Sequence, residues 1–230
     1  MKPGRIAKLT HFLRSLHEDA SGVALTEFAV VAPIFISLGL VGFEVSSMAV
    51  TKMKVNQIAL SVADNASRLG QTDNSAVPPT ITEDEVNAIL RGADQQGGSI
   101  NLKKNGRVIL SSLEHRPEGD RQFIHWQRCY GDLDIQSAYG NETDRNGLTG
   151  ERLAGMGRGT NKATAPTGEA VMFVEVVYNY APIFPTSVTS DVQFREEAAF
   201  IIRDDRTLLL PNQKGLSGDI QNACEEPDDT

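Results

Sequence analysis

Two acids inside an apolar run are the residues best placed to do chemistry in this chain. The segment Leu25 to Val50, LTEFAVVAPIFISLGLVGFEVSSMAV, is apolar enough to leave water, yet Glu27 stands at its start and Glu44 near its end. A carboxylate at membrane depth costs about 2–3 kcal/mol on insertion scales unless something neutralises or shields it. The chemistry on offer is charge-assisted pairing with a cation. A cut after Gly22 would make Val23 the first residue and would create an α-amino cation at the edge of an apolar helix. In a side-by-side assembly, Glu27 of a neighbouring helix, one turn along, would neutralise that cation and set the axial register. Glu44 calls for an outer interface or a shielding neighbour subunit. The plainer alternative is that both acids simply lie near the two membrane interfaces.

Other reactive types are sparse. Cys129 and Cys224 both lie beyond the apolar segment. In an oxidising compartment an even count suggests one disulfide, which stabilises by about 4–5 kcal/mol for a loop this long in the chain-entropy model; two unrelated thiols are the alternative. The histidines are His11, His17, His115 and His125, with no H-E-x-x-H or C-x-x-C partner, so a metal site is not expected. No G-x-S-x-G elbow is present. The Gly155–Gly159 run lacks the P-loop pattern and reads as a flexible loop. Glu142, Asp144, Asn146 and Gly147 imitate the start of a calcium loop, but the acid expected at its twelfth position falls on Leu153, which leaves at most a looser contact. No catalytic residue and no cofactor are expected, and the chain reads as a non-enzyme.

The elements around these residues follow from pattern. Phe28 to Phe43 is uncharged, a little short of the ~20 residues that span a bilayer, and the span reaches Val50 if Glu44 is accommodated. Ahead of it, Lys2, Arg5, Lys8 and Arg14 outweigh Glu18 and Asp19, which favours a cytoplasmic N-terminus; Lys52 and Lys54 weaken that asymmetry without reversing it. The whole chain carries −8, so its body is acidic, which argues against binding to nucleic-acid phosphates. Past the membrane segment, Val55, Ile58, Ala59, Val62, Ala63, Ala66 and Leu69 recur at three and four, predicting one helix over 23–69 with Gly70 as its stop and Pro33 inside it. Thr82 and Glu85 predict a capped short helix ending at Gly92. Ser99–Lys104 and Arg107–Leu113 flank Asn105-Gly106 and predict a hairpin. Phe123–Tyr130, Ala170–Tyr180 and Val192–Arg203 predict three more strands.

These assignments give an α+β chain with a long N-terminal transmembrane helix extending into a small periplasmic body with an antiparallel β-sheet. The expected divisions are a leader (1–22), a transmembrane and amphipathic helix (23–70), a linker and short helix (71–98), a sheet body (99–210) with a long surface loop near 132–168, and an acidic tail (211–230).

The run Gly22-Val23-Ala24-Leu25-Thr26-Glu27-Phe28 resembles the processing site of type IV prepilins, and AVVAPIFISLGLVGFE with KVNQIALSVADNASRLG resembles TadE/TadG-like minor pilins, or pseudopilins, of tight-adherence (Flp) pili. The segments WQRCYG, VMFVEVVYNYAPIF and FIIRDDR are similar to that family as well. The resemblance implies a pilin-like fold, processing by a membrane prepilin peptidase between Gly22 and Val23, and assembly through Glu27, Phe28 and Glu44. Its implied partners are other pilin and pseudopilin subunits, an inner-membrane assembly platform and the lipid bilayer. It implies a single-pass inner-membrane protein with a periplasmic body. Two other readings compete. Ser47-Met48-Ala49 resembles a signal-peptidase site, which would make this a secreted or signal-anchored binding protein without a pilus role. An anchored periplasmic enzyme has no motif in its favour.

Overall fold

Helix α1 runs unbroken over Ser21–Ser67, passing through Pro33. The computed structural model describes residues 11, 14–15, 21–70, 80–116, 120–143, 146–148, 151–184, 189, 191–203 and 222–224. Expectations for most of the leader, for the 71–79 linker, for Asp144 and for most of the acidic tail lie outside these residues. The chain divides into two compact units at Ser47/Met48, so α1 contributes a half to each.

The first half of α1 is apolar all round. Three of its hydroxyls are turned back onto the helix: Thr26 Oγ1 donates to the Val23 carbonyl at 2.8 Å, Ser37 to Pro33 at 2.7 Å and Ser46 to Gly42 at 2.8 Å. Each bond removes an unsatisfied polar group from an apolar surface. The second half is amphipathic. Val55, Ile58, Ala59, Val62, Ala63 and Ala66 are all buried to 2% exposure or less, forming the stripe expected from their spacing. The chain leaves the helix through Gly70, whose φ of 77° is the left-handed conformation that glycine adopts without strain.

The second unit holds a four-stranded antiparallel sheet in the order β2-β1-β3-β4, with β1 Gly106–Arg116, β2 Arg121–Tyr130, β3 Ala170–Asn179 and β4 Gln193–Ile201. One face packs on the second half of α1 and on α2 (Glu83–Gly97). Val108, Leu110, Trp126, Met172, Val174, Val176 and Tyr178 meet Val55, Ile58, Val62, Val86 and Leu90 there. The capping box at Thr82/Glu85 is present in both directions, with Thr82 N donating to Glu85 Oε2 at 2.8 Å and Glu85 N to Thr82 Oγ1 at 3.3 Å.

Three expectations fail here for identifiable reasons. Gly92 does not end α2, which continues to Gly97. A mid-helix glycine costs about 1 kcal/mol, and the apolar face goes on past it to the buried Ala93. The hairpin around Asn105-Gly106 is absent: a 3₁₀ turn (Gly98–Ile100) and a single turn, α3 (Leu102–Asn105), lead directly into β1. Both edges of β1 are already occupied, by β2 and β3, so a strand over 99–104 would have nothing to pair with. Leu102 instead drops into the core at 1% exposure.

The third concerns 132–168, expected as a surface loop. It is irregular in backbone, but it covers the second face of the sheet. Met156 is fully buried and Ala165 nearly so, against Leu113, Ile124, Val171 and Phe173. Tyr139 packs edge-on to Phe173, with ring centroids 5.3 Å apart. Strand β3 is buried at every position but its last, so it needs a cover on both sides. Its near-continuous apolar run, AVMFVEVVYNY, carries that signal.

Candidate functional site

The residues singled out for processing and assembly all sit on the first half of α1. Gly22 lies one residue inside the helix, and no heavy atom comes within 4 Å of where its Cβ would stand. Nothing in this chain therefore requires a glycine there. Val23, Leu25 and Phe28 are 56%, 70% and 68% exposed. Glu27 is exposed among them. Ile34, Phe35, Ile36, Leu38 and Val41 continue the display at 61% exposure or more. A helix apolar on every side is suited to lipid or to a bundle of like helices. It is long and apolar enough to cross a membrane.

Glu44 differs from Glu27 in being buried, at 4% exposure. The two acids picked out by one pattern thus occupy opposite environments.

The body holds its own buried charges, and sequence reasoning missed all of them. Glu175 and Glu197 face each other across β3 and β4 as register partners. Like charges so placed repel, and here they are answered one by one. Arg195 Nη1 meets Glu175 Oε1 at 2.9 Å; Ser137 Oγ donates to Glu175 Oε2, and the Ala138 N–H to Oε1 at 3.2 Å. Tyr139 donates its hydroxyl to Glu197 Oε1 at 2.8 Å, and Arg158 Nε meets the same oxygen at 3.2 Å. Burial pushes the Glu175 carboxyl above the usual carboxylate range, against the pull of Ser137, Ala138 and Arg195. Burial and the bond to Glu197 push the Tyr139 phenol well up. The arrangement fastens the 132–168 segment to the sheet. The sequence signal for it was the lone glutamate in the apolar run of β3.

A second cluster joins α2, β2 and the same segment. Arg128, 4% exposed, bonds Glu83 through Nε at 2.9 Å and through Nη2, and Glu142 through Nη1 at 3.0 Å. Burial works against this charge, yet the bonds to Glu83 and Glu142 hold the guanidinium pKa above its ordinary value. Glu142, read earlier as part of a calcium-like run, serves here as an ion-pair partner.

Of the histidines, His125 lies beside the bulge in β1–β2 pairing, with Nδ1 2.9 Å from both Glu114 oxygens. His115 bridges Asp120 Oδ1, at 2.9 Å from Nε2, and Thr167 Oγ1, at 3.1 Å from Nδ1. That chain has the residue types of a nucleophilic triad, but the Asp120 side chain is 91% exposed, so the low-dielectric orientation a triad needs is missing. Among the described residues no cluster of His, Cys, Asp and Glu could hold a metal ion. Cys129 and Cys224 are joined, with Cα atoms 4.9 Å apart and a sequence separation of 95.

The family model described as TadE-like protein matches residues 22–64. This is the stretch that displays Gly22, Glu27 and the exposed apolar surface and then turns into the buried stripe. The match is consistent with a TadE-like protein and suggests involvement in tight-adherence pilus systems. It ends before WQRCYG, VMFVEVVYNYAPIF and FIIRDDR. No curated protein and no solved structure matches the chain.

Proposed function

We propose that this chain is a minor pilin or pseudopilin, a non-enzymatic part of a tight-adherence pilus machine, cut after Gly22 by a membrane prepilin peptidase. In this reading it sits in the inner membrane with its N-terminus in the cytoplasm and its body in the periplasm. The first half of α1 meets other pilin and pseudopilin subunits and the assembly platform within the bilayer. The observation that carries the proposal is the placement of Gly22 and Glu27 at the head of an exposed apolar helix, within the stretch that matches the TadE-like family. Cleavage would put an α-amino cation one turn from Glu27 of an adjacent helix, and the low dielectric of the bilayer makes that pairing strong. The size of the body favours an accessory subunit over the bulk filament.

The test is mass spectrometry of the mature N-terminus, in cells with and without the prepilin peptidase. The expected first residue is Val23 when the peptidase is present, and the uncut chain when it is absent. A start at Val50 would favour the signal-peptide alternative, and an uncut chain in both strains would remove the processing assignment.

A further inference from the structure

We infer that the Cys129–Cys224 bond is a redox-controlled clasp on the outer edge of β2, so that closure of one end of that edge depends on oxidation while the rest of the edge does not. This goes beyond the pilus reading and stands without it.

An edge strand presents backbone N–H groups that invite another strand, and proteins cover such edges. Along β2, three of these groups are answered by two separate parts of the chain. The Ile124 N–H donates to the Asn146 carbonyl at 2.9 Å, and the Gln127 N–H to Glu142 Oε2 at 2.7 Å. Both acceptors belong to the segment that covers the sheet. That segment is anchored elsewhere, by Glu142 on Arg128 and by Gln122, whose side chain both donates to and accepts from the backbone of Ala165.

The Cys129 N–H is answered differently. It donates at 2.9 Å to the carbonyl of Asn222, in the short described stretch 222–224. Ala223 bridges Arg128 there, and the Asn222 amide bonds the Asn87 side chain on α2. Fixing three backbone residues loses more conformational entropy than their hydrogen bonds among the described residues return in water. The disulfide supplies the difference by keeping the stretch beside its edge. Cys129 is 6% exposed, whereas Cys224 is half-buried as a residue.

A dithiol reductant opens the clasp in two balanced steps. Its thiolate attacks Cys224 Sγ, the S–S bond breaks, and Cys129 leaves as a thiolate that takes a proton. The second thiol of the reductant then closes the reagent's own disulfide, and Cys224 is released and protonated. The dithiol has lost two electrons and the protein has gained them as two thiols.

The experiment is amide hydrogen exchange on the full chain in detergent micelles, oxidised and after dithiothreitol, with Cys224→Ser as a second form of the open state. Protection of the Cys129 amide is expected to fall by about tenfold or more on reduction and in Cys224→Ser, while the Ile124 and Gln127 amides keep theirs. If the Cys129 amide stays protected in either form, the disulfide is not the clasp. If all three amides lose protection together, the bond supports the whole body, and a local clasp is ruled out equally.

Discussion

The two halves of α1 draw on similar residue types and answer to different surroundings. In the first, Ile34 and Ile36 stand 61% and 62% exposed; in the second, Ile58 is 1% exposed. Glu27 lies open on the first half, while the charges of the body, such as Arg128, have their counter-ions within the chain. The second half is explained by its own sheet, since its stripe fills a core. The first half, Glu44 aside, leaves most of its apolar side chains exposed, a surface suited to lipid or to like helices. One continuous helix therefore carries a core-forming stretch and an exposed apolar stretch one after the other.

That comparison can be broken by substitution. The largest effect is expected at Arg128→Ala, which strands Glu83 at 3% exposure beside an emptied site. Removing one partner of a buried pair costs about 3–5 kcal/mol, and denaturant titration of the body should show it. Ile58→Ala follows at about 2–5 kcal/mol, because the cavity opens in a packed core. Ile36→Ala, the same chemical change on the first half, is expected to leave the melting of the body unmoved. Equal losses at Ile58 and Ile36 would end the division of labour proposed here.

A smaller effect comes from Glu175. Its ordinary carboxyl value is 4.5, and the folded protein holds it higher. Between the two values the folded state keeps a proton that the unfolded state has lost, so this group's contribution to stability falls as pH rises through that window. Melting temperatures of wild type and Glu175→Gln, taken across this range, should show the wild type losing ground to the variant with rising pH. A difference independent of pH would contradict the raised value. The smallest stability effect belongs to Gly22→Ala, expected to leave the body within about 0.5 kcal/mol of wild type, since the site is open and alanine favours helix. Any slowing of cleavage in that variant then arises in the peptidase, not in this chain. Normal processing of Gly22→Leu would argue against a peptidase that selects a small residue.

Much of the fold was legible in pattern because its signals are local. The stripe from Val55 to Ala66, the capping box at Thr82 and the strand runs at 123–130 and 170–180 each depend on residues close in sequence. The failures depend on distant partners. Asn105-Gly106 has the right turn chemistry, but the edges of β1 were already committed to β2 and β3, a fact of topology. Gly92 has the right residue type for a stop, but burial of Ala93 in the next turn outweighs it. The cover formed by 132–168 was hidden because its anchors, Ser137, Tyr139 and Met156, lie far from the β3 residues they serve. On the candidate site, the pattern located Glu27 and Glu44 equally well and could not tell that one is exposed and the other buried.

The central claim is that the first half of α1 works on partners outside the chain, through Glu27. The most direct measurement takes Glu27→Ala in a strain that makes tight-adherence pili, counting pili and recording the melting of the purified body from the same cells. The account predicts a protein that inserts, melts as wild type and fails to support assembly. Full piliation by Glu27→Ala, or a body destabilised by it, would contradict the account.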